Sequence, residues 1–218
     1  MKKRLVIATA LLILLTTITL HPKIATSKFN LKKIKIENNF LLSKEDIKKL
    51  LFPIYDTNLI ILRNKEIENL LTQNSLIESF NIKKKYPNTL KIKIFEKKPI
   101  AILQNKKKKF YLSEKIDLIE FKDLTDYQNL PYVLGKKDEF EILYNDLIEI
   151  NFPFHQIKKY TLYETNRWDL LTKNNNIIKL PSKNYIESLK NYLNLQNKND
   201  FKKYKIFDYR INNQLILK

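Results

Sequence analysis

The hydrophobic and polar positions after residue 30 predict a strand, two short helices and a hairpin, in that order. Ile34 and Ile36 alternate with charged residues, which is typical of a half-buried strand. Apolar residues three and four positions apart predict the helices, and Ser43 and Asn64 stand where each helix would be capped. The residues expected to be buried in these helices are Ile47, Leu50 and Leu51, then Ile67, Leu70 and Leu71.

A turn at Tyr86-Pro87-Asn88-Thr89 separates two further strand patterns, residues 79–85 and 90–96. In the second of these strands, apolar residues alternate with lysines. The resulting order is strand, helix, helix, strand, strand. We expect this module to occupy residues 29–101, with a domain boundary near residue 102.

The rest of the chain, residues 102–218, is expected to be mostly strand, with two helices. The expected strands are a hairpin over residues 110–121, single strands at 130–135, 157–164, 167–172 and 177–180, and a last hairpin of residues 205–210 and 214–217. One helix would bury Phe140, Leu143, Leu147 and Ile150, and the other, capped by Ser182, would bury Tyr185, Ile186, Leu189 and Leu193. Residues 174–176, all asparagine, should form a tight turn, because asparagine tolerates a positive φ. These patterns predict an α+β fold.

An uncharged, largely apolar run from Leu5 to Leu20 follows the basic start Met1-Lys2-Lys3-Arg4. This pattern is typical of a membrane-insertion signal. We expect residues 5–25 to form a single transmembrane helix behind a cytoplasmic tail of residues 1–4. Because long domains after such an anchor are exported largely regardless of their charge, the bulk of the chain should lie in the periplasm of a bacterium.

A cleaved signal peptide is the competing interpretation of this segment. Pro22 could end the apolar helix, and Ala25-Thr26-Ser27 supplies the small residues that a signal peptidase selects, with cleavage after Ser27. On either interpretation, the remainder of the chain is exported.

Composition excludes several kinds of active site. Gly135 is the only glycine, so the sequence contains no glycine-rich phosphate loop and no dinucleotide-binding turn. It contains no cysteine, which excludes disulfides, thiolate nucleophiles and cysteine-ligated metals. The two histidines, His21 and His155, lie far apart in the sequence and do not suggest a metal centre. We therefore expect no enzyme activity, no catalytic residues, no cofactor and no metal.

The formal net charge is +18, from 41 basic and 23 acidic residues. All but four of the basic residues are lysine, which lacks the planar fork that arginine uses to read base edges, so we expect no nucleic-acid partner. The lysine runs at residues 83–85 and 106–109 are expected to be solvated faces, with a membrane-surface role as the alternative. Trp168 is expected to pack in the core.

The last hairpin carries the prediction of a binding site. The sequence reaches Lys218 directly after an apolar strand, so we expect an unpaired strand edge to which another protein's strand can add. Backbone bonds alone are too weak for capture, and the side chains expected to anchor a partner are Phe207, Tyr209, Ile211 and Leu215.

Several motifs together resemble one family. The segment FNIKKKYPNTLKIKIFEKKPIA, residues 80–101, is similar to a basic strand, a Pro-x-Thr-Leu turn, an alternating strand and Glu-x-x-Pro-x-Ala. The later segments LPYVLG (130–135), RWDL (167–170), IIKL (177–180) and FDYRI (207–211) follow in the same order. With the basic tail and single span, this pattern resembles the bacterial FtsQ (DivIB) cell-division family over essentially the whole chain. The family usually has glycine in the turn after the tryptophan strand and after the strand ending at Leu180, where this chain has asparagines and Pro181.

The resemblance implies a POTRA domain followed by a β-rich carboxyl-terminal domain, in an inner-membrane scaffold at the division septum. It implies binding to FtsB, held with FtsL, and to other division proteins that link early and late stages of septum formation, with no small-molecule substrate. The POTRA domain would serve recruitment to the septum. The partner-binding role implied for the last strands falls on Ile206, Phe207, Tyr209, Ile211, Asn213, Leu215 and Leu217.

Two other functions are compatible with some of these features. A POTRA module also occurs in outer-membrane assembly proteins, but the residues after Ala101 are too few for a large barrel at about 10 residues per strand. A POTRA-containing protein that binds partners in the periplasm or at a membrane surface, outside division, is the alternative to the division scaffold.

Overall fold

The computed structural model describes residues 2–17, 27–105, 108–211 and 214–218. These residues form two compact units, one ending at Glu96 and the other beginning at Lys97. The predicted boundary at residue 102 would divide a strand, Pro99–Asn105, that lies entirely in the second unit.

The amino-terminal helix, α1, runs over Lys2–Thr17. Within the part of the chain that the structure describes, no helix reaches the length and apolar character needed to cross a membrane. The residues after Thr17 in the predicted anchor, including Leu20, lie outside the described residues.

The first unit contains the predicted order of strand, helix, helix, strand and strand. Its elements are β1 (Lys33–Glu37), α2 (Lys44–Leu50), α3 (Asn64–Leu71), β2 (Ile77–Lys85) and β3 (Thr89–Glu96). The sheet order is β1-β3-β2, with β1 parallel and β2 antiparallel to the central β3. Leu90, Ile92 and Ile94 of β3 are fully buried, as their alternation with lysines predicts.

One of the two predicted helix caps in this unit is confirmed. Ser43 accepts a hydrogen bond from the backbone N–H of Asp46 at 3.0 Å and caps α2. The prediction for Asn64 is wrong, because this residue is already helical and Arg63 occupies the cap position without a side-chain bond. The propensity pattern located the start of the helix to within one residue.

Glu96 closes the loop that follows β1. Its carboxylate accepts hydrogen bonds from the backbone N–H groups of Phe40, Leu41 and Leu42, at 3.1, 2.7 and 3.0 Å. Hydrogen bonds to an ionised acceptor are among the stronger ones, so this side chain fixes the entry to α2. The glutamate of the Glu-x-x-Pro motif therefore has a structural role.

The second unit is built on a nine-stranded sheet with order β12-β11-β10-β9-β8-β7-β4-β5-β6. The strands are β4 (Pro99–Asn105), β5 (Lys108–Ser113), β6 (Leu118–Glu120), β7 (Tyr132–Leu134), β8 (Ile157–Leu162), β9 (Trp168–Thr172), β10 (Ile177–Lys179), β11 (Ile206–Asp208) and β12 (Ile216–Leu217). The two helices are α4 (Lys137–Glu149) and α5 (Tyr185–Gln196). The α+β class, the two hairpins and both helices are as predicted.

The predicted cap of α5 is wrong. Asn184, at φ 57°, precedes the helix without a side-chain cap bond, and Ser182 lies outside it. The turn at residues 174–176 does place Asn175 at a positive φ of 61°. In a chain with one glycine, asparagine occupies the left-handed positions that glycine commonly fills.

The core of the second unit holds aromatic side chains from the sheet and from α4. Trp168 is buried and its ring lies 6.2 Å from that of Phe140, which confirms its expected packing role. Gly135 passes so close to this cluster that a Cβ would lie 2.9 Å from Leu162 Cβ and 3.0 Å from the Trp168 ring. This close approach explains why the position holds the only glycine.

Candidate partner-binding site

The last two strands lie at one edge of the nine-stranded sheet. Strand β11 pairs in parallel with β10 and antiparallel with β12. Within the described residues, no strand pairs with β12 on its outer side. We call β11, β12 and the described residues between them the terminal edge.

The hydrogen-bond pattern of this hairpin shows which backbone groups face outward. Ile206 and Lys218 exchange both of their hydrogen bonds, at 2.9 and 3.1 Å. In an antiparallel ladder, residues alternate between bonding to the partner strand and facing away from it. Leu217 therefore points its N–H and C=O groups away from β11. Within β12, the terminal edge thus offers a peptide one backbone donor and one backbone acceptor.

A groove of about 630 Å³ lies beside the terminal edge, between the chain around Tyr209 and the beginning of α5. Tyr209 donates a hydrogen bond from its hydroxyl to Asn191 Oδ1 at 2.9 Å, which ties the strand to the helix. Burial raises the pKa of Tyr209, so this hydroxyl stays protonated at physiological pH. The residues that line the groove are Pro181, Lys183, Asn184, Glu187, Ser188, Asn191, Tyr209, Ile211, Gln214 and Leu215.

Two of the predicted anchors, Phe207 and Tyr209, are buried in the core of the second unit. Phe207 is 1% exposed and packs edge-on against Tyr192 of α5 at 4.9 Å, and Tyr209 is 6% exposed. Both side chains lie on the face of the sheet that α5 covers, and Tyr209 also lines the groove, so a direct contact of either residue with a partner stays a prediction. Their spacing is that of a half-buried strand, and a sequence pattern alone does not show which face is buried.

The remaining predicted residues differ in exposure. Ile206, Leu215 and Leu217 are partly buried, and the last two pack against the core. Ile211 is 52% exposed and lines the groove. Asn213 lies outside the described residues.

Sequence reasoning missed Ile216 and Arg210. Ile216 is 38% exposed, and its side chain lies on the opposite face of β12 from Leu215 and Leu217. The alternation of residues 215–217 in the last strand was the sequence signal that could have indicated an exposed Ile216. Arg210 lies at the end of β11 and holds Asp208 through two bonds, Nε to Oδ1 at 2.8 Å and Nη2 to Oδ2 at 2.6 Å.

This pair has a defined electrostatic state. The bond from Arg210 lowers the pKa of Asp208, and the Asp208 carboxylate raises the pKa of Arg210. Asp208 is buried while the Arg210 side chain is 43% exposed, so the guanidinium is the accessible charge. The arrangement fixes a positive group at the rim of the terminal edge.

The pKa of a neighbouring carboxylate, Asp169, is shifted in the opposite direction. Asp169 lies opposite Lys179, which in turn lies opposite Asp208, so the three form a row across β9, β10 and β11. Burial raises the pKa of Asp169, against the attraction of Arg167, whose Nε is 4.0 Å from Asp169 Oδ1. The sheet therefore carries ordered charges up to the terminal edge.

Comparison with known proteins agrees with this architecture. The model of the FtsQ-type POTRA domain matches residues 29–97, which form most of the first unit. The model of the carboxyl-terminal domain of the cell division protein FtsQ/DivIB matches residues 101–210, half of the chain. The chain belongs to the FtsQ/DivIB family. A role in bacterial cell division, with partners among division proteins, follows from this membership.

Two relatives that match most of the chain belong to the same family. The cell division protein FtsQ of Rickettsia conorii is 30% identical over 190 residues, covering 85% of this chain and 71% of its own. FtsQ of Methylomonas methanica is 24% identical over 179 residues, covering 80% of this chain and 70% of its own. The solved extracytoplasmic domain of DivIB from Geobacillus stearothermophilus has a TM-score of 0.34 and 14% identity, covering 49% of this chain and 96% of that one.

The family match does not extend over the whole candidate site. The carboxyl-terminal match ends at residue 210, whereas β12 and the exposed Ile211 lie beyond it. The outer strand of the terminal edge therefore lies outside the residues that the family model matches.

Proposed function

We propose that this FtsQ/DivIB-family protein is a single-pass inner-membrane scaffold that binds the FtsB and FtsL pair in the periplasm. A strand of the partner adds to β12, and the bound pair connects early and late division proteins at the septum without chemistry by the scaffold. The observation that carries the proposal is the terminal edge, whose outward backbone groups lie beside a groove of about 630 Å³.

Backbone hydrogen bonds to β12 contribute too little free energy to capture a partner alone. Two hydrogen bonds from Leu217, at ~1 kcal/mol net each, give about 2 kcal/mol. This is less than the lower end of the cost of association, about 4 kcal/mol. Side chains must therefore supply the binding energy. Ile211 and Ile216 are the exposed apolar groups of the terminal edge, and Arg210 adds a charge that can select an acidic partner residue.

Exposure along α1 supports a membrane anchor. Five apolar side chains of α1 are each at least 55% exposed, and three of them are consecutive, so they cover more than one face of the helix. A helix that is apolar on all sides is stable in a core or in lipid. We infer that residues 5–25, which include most of α1, lie in the inner membrane, with residues 1–4 in the cytoplasm. The five residues are Val6, Ile7, Leu11, Leu12 and Ile13.

Co-purification with FtsB and FtsL from the same bacterium tests the binding site. The full chain in detergent should retain both proteins at low and at moderate salt, because apolar contacts resist screening. Ile211→Asp and Ile216→Asp should each weaken capture about tenfold or more, because a carboxylate would have to be desolvated in the interface.

Ile142→Asp is the matched control. Ile142 is an isoleucine of the same unit, 58% exposed on α4, outside the terminal edge. It should capture the partners as well as the parent chain does. Equal capture by all three variants would refute the terminal edge as the binding site, and loss of capture at moderate salt would indicate lysine-driven association instead.

A further inference from the structure

One end of the first unit brings together three segments that are distant in sequence. Phe29 and Leu31 exchange backbone hydrogen bonds with residues 56–59: Leu59 N–H to Phe29 O at 2.8 Å, Leu31 N–H to Thr57 O at 2.9 Å and Asp56 N–H to Leu31 O at 3.0 Å. The N–H groups of Lys32 and Lys33 donate to Asn88 O in the β2–β3 turn. We call residues 27–33, 56–63 and 84–89 the turn end of this unit.

The turn end exposes large apolar side chains. Ile60 and Ile61, adjacent in the loop before α3, are 58% and 74% exposed, and Tyr86 is 57% exposed. The Tyr86 ring contacts that of Phe29 edge-on at 6.2 Å, which joins the turn to the beginning of the unit. Single exposed apolar residues are common, but a group of them at one end of a domain marks an interaction surface.

The charges at the turn end have mainly one sign. Its three segments hold six basic residues and one acidic residue, Asp56. All the basic side chains are exposed except that of Lys84, which is partly buried and donates to Leu62 O. Exposed isoleucine and tyrosine side chains in the same segments as exposed lysine and arginine suit a bilayer interface with anionic headgroups. The six residues are Lys28, Lys32, Lys33, Arg63, Lys84 and Lys85.

The connection to α1 keeps this surface near a membrane. Nine residues, 18–26, separate α1 from Ser27, where the turn end begins. A chain spans at most about 3.5 Å per residue, so they reach no more than about 30 Å. The turn end therefore stays close to any bilayer that α1 enters.

We propose that the turn end docks on the anionic surface of the bilayer that holds α1, with Ile60 and Ile61 in the headgroup region and the basic side chains on the lipid phosphates. This inference rests on the membrane anchoring proposed above. It assigns the exposed surface of the POTRA domain to lipid and fixes which end of the domain faces the membrane.

The absence of cysteine from the sequence makes the test direct. Ile61→Cys in the full chain is labelled with an environment-sensitive fluorophore and reconstituted in phosphatidylcholine vesicles containing phosphatidylglycerol and headgroup-region spin-labelled lipid. We expect loss of fluorescence by quenching and a blue shift of emission. Replacing phosphatidylglycerol by phosphatidylcholine should reduce both effects, because the charge attraction is lost.

Phe40→Cys is the matched control. Phe40 is 82% exposed in the same unit, but it follows the carboxyl end of β1 and is bonded to Glu96, at the opposite end of the sheet. Its label should be quenched much less than the label at residue 61. Equal quenching at the two positions, no quenching at residue 61, or no dependence on phosphatidylglycerol would overturn the proposal.

Flotation of the vesicles separates this inference from the membrane anchor. A chain that floats with the vesicles but leaves residue 61 unquenched refutes the docked turn end and keeps the anchor. A chain that does not float refutes both. Shielding of the label by added division proteins, without quenching by lipid, would show that a protein covers this surface and would overturn the lipid proposal.

Discussion

At the scale of single residues, two buried aspartates near the terminal edge have pKa values that are shifted in opposite directions. Asp208 is buried but bonded twice by Arg210, so its ionised form is favoured and its pKa lowered. Asp169 is buried with its nearest cation at 4.0 Å, and its pKa is raised. Two aspartates two strands apart thus have opposite effects on stability: ionisation of Asp208 stabilises the fold, and ionisation of Asp169 costs stability.

Asp208→Asn should destabilise the protein at neutral pH and much less in acid. A lowered pKa means that the Asp208 carboxylate contributes stability above its unfolded pKa of about 3.9, and that this contribution is lost as the pH falls through the folded value. Denaturant midpoints of the parent chain and the variant should therefore differ at pH 7 and converge as the pH falls below the unfolded pKa of about 3.9 and through the lower folded value. Glu164→Gln, at an exposed carboxylate, is the control. A difference that does not shrink in acid would show that the charge of Asp208 does not contribute.

The residue scale also shows what sequence reasoning could and could not predict. It predicted Trp168 as a core residue, which the structure confirms, and Ile211, which is exposed, as an anchor whose partner contact stays a prediction. It assigned Phe207 and Tyr209 to partner contacts because an alternating pattern separates the two faces of a strand but does not show which face is buried. Burial of Tyr209 depends on α5, and the contact between a strand and a helix is not visible in a local pattern.

At the scale of elements, local signals predicted the type and order of strands and helices well. Alternation, helical spacing and turn residues act over a few positions, so a single sequence displays them. Sheet order is different, because β4 pairs with β7 across the β5–β6 hairpin and β10 pairs with β11 across α5. The caps at Asn64 and Ser182 failed for a similar reason, since helix starts depend on backbone geometry that packing decides.

The short strand β12 allows a test of strand addition at the level of one N–H group. Leu217→Pro removes a donor that faces away from β11, so the pairing with β11 survives while an added strand loses a bond. We expect capture of FtsB and FtsL about fivefold weaker than that by Leu217→Ala, the value of roughly one hydrogen bond, with similar thermal stability of the two variants.

Leu217→Ala is the matched variant for this test. It removes the same leucine side chain but keeps the N–H group, so it reports the side-chain contribution alone. Capture should be stronger for the alanine variant than for the proline variant. If the two variants capture partners equally, backbone pairing at β12 is not part of the binding mode.

At the scale of the whole molecule, a composition with a single glycine is compatible with the fold because asparagine fills left-handed backbone positions. One glycine remains, at a position where a Cβ does not fit. Among the described residues at positive φ, five are asparagine: Asn38, Asn151, Asn166, Asn175 and Asn184. The net charge of +18 is mostly lysine, and the turn end of the POTRA domain is one place where that charge meets exposed apolar groups.

The proposed topology gives the last prediction. With α1 in the inner membrane, Ile142→Cys in spheroplasts should react with a membrane-impermeant maleimide, because the second unit lies outside the cytosol. Lys3→Cys should react only after lysis, because residues 1–4 lie inside. The sequence has no native cysteine, so each signal comes from one position. Reaction at residue 3 before lysis would reverse the topology, and a mature chain that lacks residue 3 would establish the cleaved signal peptide in place of the anchor.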